Sequence, residues 1–140
     1  MEMAETTAQR SHDAETKVGS ILVSNKTQDV LGTGYNGFVR GANDQNLPNT
    51  RPEKYKYMVH AEMNLVCNLA RRGVSTEDST LFVTMSPCVT CMRLLYQAGV
   101  TKIICKEKYR DFDAIKEMGD LEVVESRTPE GYFELNYQVK

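Results

Sequence analysis

From His60 to Tyr109 the chain alternates helical and extended patterns without interruption, and this alternation limits the architecture more than any other feature. Starting at His60, the apolar residues Met63, Val66, Cys67 and Ala70 recur at three and four positions, which predicts a helix with one apolar face that ends at Gly73 after Arg71 and Arg72. "STLFVTM" (79–85) reads as a strand. Pro87 suits the first turn of a second helix that runs to Ala98 and stops at Gly99. "VTKIICKEKY" (100–109) is a strand again, followed by a short helix at "DFDAIKEMG" and strands at "LEVVES" and "GYFELNYQV". Strands joined through helices lie parallel in one sheet and carry the helices on its faces. The expected fold is α/β, a three-layer α/β/α sandwich.

Upstream, "VGSILVS" (18–24) and "VLGTGYNG" (30–37) flank the turn-forming "NKTQD" and predict an antiparallel hairpin after a short helix ending near Arg10. Residues 38–58 contain two prolines and no periodicity. A loop of that length inside a compact domain is usually functional, so it is expected to shape a pocket. With 140 residues, no repeat and no linker, residues 1–140 read as a single domain.

Charge removes some functions. A formal net charge of −2 and a pI near 5.7 leave no net positive field for a nucleic-acid backbone, although a small anion is compatible. No stretch reaches the roughly 20 apolar residues of a membrane helix, and the N-terminus lacks a signal-peptide core. The chain reads as cytoplasmic, with no membrane partner.

Of the four cysteines, Cys67 and Cys105 fall in apolar patterns and read as small buried hydrophobes. Cys88 and Cys91 have ligand spacing: three positions apart at the start of a helix, they put two sulfurs on one face, at an end that favours thiolates. A C-x-x-C after a strand serves redox chemistry equally well. His60, opening another helix, supplies the nitrogen that a redox dithiol does not need. Three ligands leave a tetrahedral zinc one open corner, the arrangement of a catalytic site. Glu62, two residues from His60, then has a role as the acid–base group beside that corner.

His60-Ala61-Glu62 followed by Pro87-Cys88-Val89-Thr90-Cys91 is the H-x-E and P-C-x-x-C signature of the zinc nucleobase deaminases. The chain resembles the cytidine and deoxycytidylate deaminase superfamily, and within it the dCMP deaminases, through "AQRSHDAETKVGSILV", "GYNG", "KYKYMVHAEMN", "SPCVTC" and "AGVTKIICKEKY", roughly residues 8 to 110. That resemblance implies a cytidine deaminase-like mixed sheet of five strands and one Zn2+ on His60, Cys88 and Cys91. It implies hydrolytic deamination of dCMP to dUMP and ammonia for thymidylate synthesis, with hydroxide attack at C4 and Glu62 carrying the protons. It further implies substrate contacts from Asn36, Ala61, Ser86 and Tyr109, and a 5′-phosphate held among Arg51, Lys54, Lys56, Lys108 and Arg110. A regulatory dCTP with Mg2+ near Asp44 and a homo-oligomer, a hexamer in many relatives, complete what it implies.

Competing readings share the motif. They are a tRNA adenosine deaminase, which the acidic pI disfavours; a deaminase of nucleosides, guanine or dCTP; a non-catalytic zinc staple; and a thioredoxin-like dithiol.

Overall fold

The computed structural model describes residues 1–110 and 112–140, with only the backbone of Glu117. Helix α1 (Glu2–Ala8) leads into strands β1 (Gly19–Ser24), β2 (Val30–Tyr35) and β3 (Gly37–Phe38). The long loop follows, then β4 (Met58–Val59), α2 (Ala61–Arg72), β5 (Ser79–Met85), α3 (Val89–Gln97) and β6 (Val100–Glu107). A 3₁₀ helix (Phe112–Lys116) and strands β7 (Glu117–Met118), β8 (Leu121–Arg127) and β9 (Phe133–Val139) end the chain.

The sheet is mixed, in the order β2-β1-β5-β6-β9-β8-β7. β1 pairs antiparallel with both β2 and β5, the predicted hairpin among them, and α3 forms the crossover between the parallel pair β5 and β6. Seven strands replace the expected five. At the C-terminal side β9 turns back to pair antiparallel with β6 and β8 pairs with β9, both strands expected at those segments, and the two-residue β7, where a helix was expected, adds the outer edge. The helix expected at "DFDAIKEMG" is shorter, a 3₁₀ segment that runs straight into β7. Asp111 of that stretch lies outside the described residues.

Helices α2 and α3 cover one face of the sheet. Leu22, Leu81, Val83, Ile103, Cys105 and Leu135 meet Leu65, Leu69, Met92 and Leu95 there in one buried cluster. Among the described residues the other face carries α1 alone, which lies so close that a Cβ on Gly19 would stand 2.0 Å from the Ala4 carbonyl oxygen. Lys106 of β6 pairs with Glu5 of α1 on that face, and Lys102 pairs there with Glu134 of β9.

Helix α2 is rotated from the expected orientation. It buries Ala61, Glu62, Leu65 and Leu69, while Met63, Cys67 and Ala70 face outward and Val66 is half-buried. Cys67 is therefore exposed, contrary to expectation, whereas Cys105 is buried as expected. The rotation follows from the close approach of α2 to β2. Gly32 and Gly34 have no Cβ under the helix, and Ser20 Oγ hydrogen-bonds the carbonyls of both Gly34 and Ala61, at 3.2 and 3.1 Å. Gly73 ends the helix in the left-handed conformation (φ 68°) with its N–H on the Ala70 carbonyl.

A Cβ on Gly34 would fall 2.4 Å from the Ala61 oxygen and 2.7 Å from the Leu65 nitrogen, both backbone atoms. Gly34→Ala is therefore expected to lose about 2–3 kcal/mol by overpacking. Gly37→Ala, with nothing within 4 Å of its Cβ, is expected to stay within about 0.5 kcal/mol of wild type in urea melts.

Candidate metal centre and its pocket

Two helix N-termini meet at one point. His60 is the N-cap residue of α2 and Cys88 that of α3, both in extended conformation (ψ 153° and 170°). Pro87 thus precedes α3 rather than occupying its first turn, and Cys91 sits in that turn, buried. His60 Nδ1 stands 3.6 Å from Cys88 Sγ and 3.4 Å from Cys91 Sγ, and one ligand atom from each residue lies within 4.8 Å of the others. Zinc bonds of about 2.3 Å to sulfur and about 2.0–2.1 Å to nitrogen, set at tetrahedral angles, separate the donor atoms by about 3.5 Å. The three side chains fit one tetrahedral ion, and among the described residues no other His/Cys/Asp/Glu set is so placed.

The protonation of the thiols is correspondingly divided. The Cys91 thiol donates to Cys88, and with the His60 ring beside it Cys88 falls to about 4, while the same bond and burial push Cys91 up. Glu62, in the first turn of α2, is 4% exposed. Burial raises its carboxyl above the usual range, against the opposing pull of His60.

His60, Glu62 and Cys88 line a cleft together with Val18, Asn36, Ala61, Met85, Ser86 and Tyr109, and Cys91 is buried behind it. All four residues expected at the substrate are thus on its wall. The Asn36 side chain is clamped: its Oδ1 accepts from the Val18 N–H at 2.9 Å, and its Nδ2 donates to the Thr16 carbonyl at 2.9 Å and to Asp13 Oδ2 at 3.4 Å. Buried Ser86 accepts from the Tyr109 N–H at 2.7 Å and so ties the end of β5 to the turn after β6.

The long loop does shape this cleft. Its base is closed by the β3–β4 ladder, and Arg51, Lys54, Tyr55 and Met58 project into the lining. Arg51 Nε donates to the Tyr55 hydroxyl at 2.7 Å, and the Arg110 guanidinium lies over both the Tyr55 and Tyr109 rings. Burial alone would raise the Tyr55 phenol, but hydrogen bonds from Tyr109 and Arg51 bring it below its ordinary value. Of the five cations expected near a phosphate, Arg51 and Lys54 reach the lining and Arg110 flanks it. Lys108 instead pairs with Glu125 and stacks on Phe112, and Lys56 is absent from the lining. Asp44 also lies outside the lining, 2.5 Å from His12.

Asp13 and the burial of Lys54 were not foreseen. Lys54 Nζ meets both Asp13 oxygens at 2.8 Å with each side chain about 3% exposed, and Asp13 Oδ1 also accepts from the Glu15 and Thr16 amides. An aspartate accepting from amides two and three residues on is the local signature of such a turn, so "DAET" held one readable sign. Burial raises Asp13, yet the bond from Lys54 and those amides outweigh it and hold the carboxyl below its ordinary value.

Residues 1–107 match the cytidine and deoxycytidylate deaminase zinc-binding region. Human deoxycytidylate deaminase is 34% identical over 120 residues, covering 81% of this chain and 66% of that protein. A probable deoxycytidylate deaminase of Caenorhabditis elegans is 35% identical over 126 residues, 86% of this chain and 62% of that protein. The chain thus spans about two thirds of the length of these relatives. The crystal structure of dCMP deaminase from cyanophage S-TIM5 in complex with dCMP and dUMP superposes with a TM-score of 0.68 at 33% identity, over 81% of this chain and 82% of that one.

The Asp13–Lys54 pair makes a pH-dependent prediction. Lys54→Met is expected to cost about 3 kcal/mol at neutral pH, because it strands a buried carboxylate. In wild type the depressed Asp13 contributes stability that is present above its unfolded pKa of about 3.9 and lost as pH falls through the lower folded value. The stranded Asp13 of the variant titrates the opposite way, so the gap between the two proteins should narrow as pH drops toward about 4. Urea melts across that range measure it.

Proposed function

The chain belongs to the cytidine and deoxycytidylate deaminase family, and on that premise we propose that it catalyses the hydrolytic deamination of dCMP to dUMP and ammonia. The observation that carries this reading is the meeting of His60, Cys88 and Cys91, at spacings that suit zinc, with a buried Glu62 on the wall of the same cleft. His60 Nδ1, Cys88 Sγ and Cys91 Sγ would hold the ion. Zinc there would supply the acidification of a water molecule into the nucleophile required at C4.

The chain's own groups do the rest. Glu62, its proton affinity raised by burial, takes one proton from the attacking water and places it on N3 of the cytosine. It then takes the second from the new C4 hydroxyl and passes it to the amine, which leaves as ammonia while the C4 carbonyl forms. Ser86 is fixed by its N–H on the Glu107 carbonyl and its hydroxyl on the Tyr109 N–H, and in this reading its carbonyl accepts from the 4-amino group. Ala61 opens α2, where helix N–H groups lack intrahelical acceptors, and can serve the acceptor edge of the ring. Asn36 is held by the protein through both N–H bonds and one Oδ1 bond, so its remaining acceptor site suits a sugar hydroxyl.

A monophosphate rather than a nucleoside is favoured by the other end of the cleft. Arg51, which also pairs with Glu15 at 3.3 Å, and the Tyr55 hydroxyl project there, with Arg110 stacked alongside, whereas Lys54 is buried against both Asp13 oxygens. Among the described residues no helix is long and apolar enough to cross a membrane; from its deaminase relatives we propose that the chain works on the cytoplasmic nucleotide pool. The outward Met63 and Cys67 of α2 suit a second copy of the chain, so a homo-oligomer, as large as a hexamer, is part of this reading. A regulatory dCTP with Mg2+ near Asp44 is likewise proposed from the family resemblance.

Glu62→Gln should retain one zinc per chain by metal analysis and lose about 10³-fold or more in dCMP turnover, measured as ammonia release. An active variant would remove Glu62 from the mechanism. In a panel of dCMP, dCTP, deoxycytidine and a tRNA anticodon hairpin, with and without added dCTP, dCMP should be the preferred substrate. Arg51→Met should raise KM for dCMP about tenfold and leave deoxycytidine unchanged; an equal change for both would disconnect Arg51 from the phosphate.

A further inference from the structure

β2 is an edge strand, and its outward carbonyls are met by side chains of α2 rather than by another strand. The Asn36 N–H points inward to the Val18 carbonyl at 3.2 Å, so the carbonyls of Tyr35 and Thr33 point out of the sheet, and the bulge opposite Leu22 and Val23 leaves that of Leu31 within reach of α2 as well. Asn64 Nδ2 donates to the Tyr35 carbonyl at 2.8 Å, Asn68 Nδ2 to that of Thr33 at 3.4 Å, and Arg72 Nη2 to that of Leu31 at 3.3 Å. The spacing has a simple origin. Four helical residues rise about 6.0 Å and two antiparallel strand residues about 6.8 Å, so each step along α2 lands close to the next outward carbonyl. Four residues also overturn by about 40°, which moves each successive side chain further round the helix. The third is the long, forked arginine, which can still reach back.

We propose that this ladder fixes the register of α2 on β2, and that Asn64 is a positioning residue linking Glu62 to Asn36. The Tyr35 carbonyl and the Asn36 N–H belong to one planar peptide unit. Asn64 holds its oxygen and Val18 holds its hydrogen. Asn64 stands two residues from Glu62 on α2, so it joins the helix that carries the proton shuttle to the plane that carries Asn36. Asn68 and Arg72 hold the same strand one and two turns further from the pocket, and neither lines it. This inference rests on the proposed function for its kinetic consequence, but not for its structural one.

The first test needs no turnover. In the zinc-loaded, substrate-free protein, hydrogen exchange at the Asn36 amide should speed up about tenfold in Asn64→Ala and in Asn64→Asp, and stay within about twofold in Asn68→Ala. Asn64→Asp keeps the size of the side chain and removes the donor, so it covers the case in which the alanine variant folds poorly. Kinetically, Asn64→Ala should lower kcat/KM for dCMP about tenfold with zinc content unchanged, and Asn68→Ala less than about twofold. In the Asn36→Ala background the loss from Asn64→Ala should shrink at least threefold, because its effect runs through the Asn36 peptide. An Asn36 amide unchanged in both Asn64 variants, or losses that simply multiply, would overturn the assignment. A wild type inactive on dCMP, with the exchange result intact, would instead overturn the proposed substrate and leave the ladder standing.

Discussion

The site depends first on how closely the opening turn of α2 lies on β2. Two glycines remove the side chains that would hold the helix off, and Ser20 then bridges the Gly34 and Ala61 carbonyls from within the sheet. Only at that distance can Asn64 reach the Tyr35 carbonyl, and only then do His60 and Glu62 share a cleft with Asn36. Such an approach excludes a Cβ at Gly34, so the position is fixed by close packing rather than by backbone conformation.

Much of the chemistry was legible because it is local. Each half of the metal motif is a few residues long, and its placement at a helix start follows from the strand before it and the pattern after it. His60, Cys88 and Cys91 therefore met as the spacing required. The rotation of α2 was less legible. Two apolar rows run along that helix, Met63–Val66–Cys67–Ala70 and Ala61–Leu65–Leu69, and periodicity alone gives no reason to prefer the second. What selects it is the close approach of α2 to β2 over Gly32 and Gly34, which seats Leu65 and Leu69 in the core and carries Glu62 inward with them.

The long loop shows the same division. Its prolines and lack of period identify it as irregular and pocket-forming, and four of its residues, Arg51, Lys54, Tyr55 and Met58, do reach the cleft. That Lys54 would be buried against Asp13 could not be read, because the partners are 41 positions apart and a lysine among other lysines looks solvated. At the C-terminal side the segment 112–118 contains helix-compatible residues, but it makes one 3₁₀ stretch and passes into β7. The outer strands β8 and β9 supply Val123 and Leu135 to the core, so sheet pairing outweighs local propensity there.

The two helix N-termini at the metal site explain why thiolates are tolerated in a cleft that also buries a carboxylate. Two ionised sulfurs beside Glu62 would repel it and one another strongly; the bond to Cys88 and burial raise Cys91, and burial raises Glu62. His60 and Cys88 each cap a helix whose positive end faces the cluster, an arrangement that offsets part of the charge before any ion arrives. A divalent cation would offset the rest. The crossover that makes β5 and β6 parallel is what brings the start of α3 to the carboxyl end of β5, where open α/β sheets place their ligands. The order of elements along the chain and the electrostatics of the site are in this sense one constraint: a helix must begin where a strand ends, and the charge of the site is stable only where helices begin.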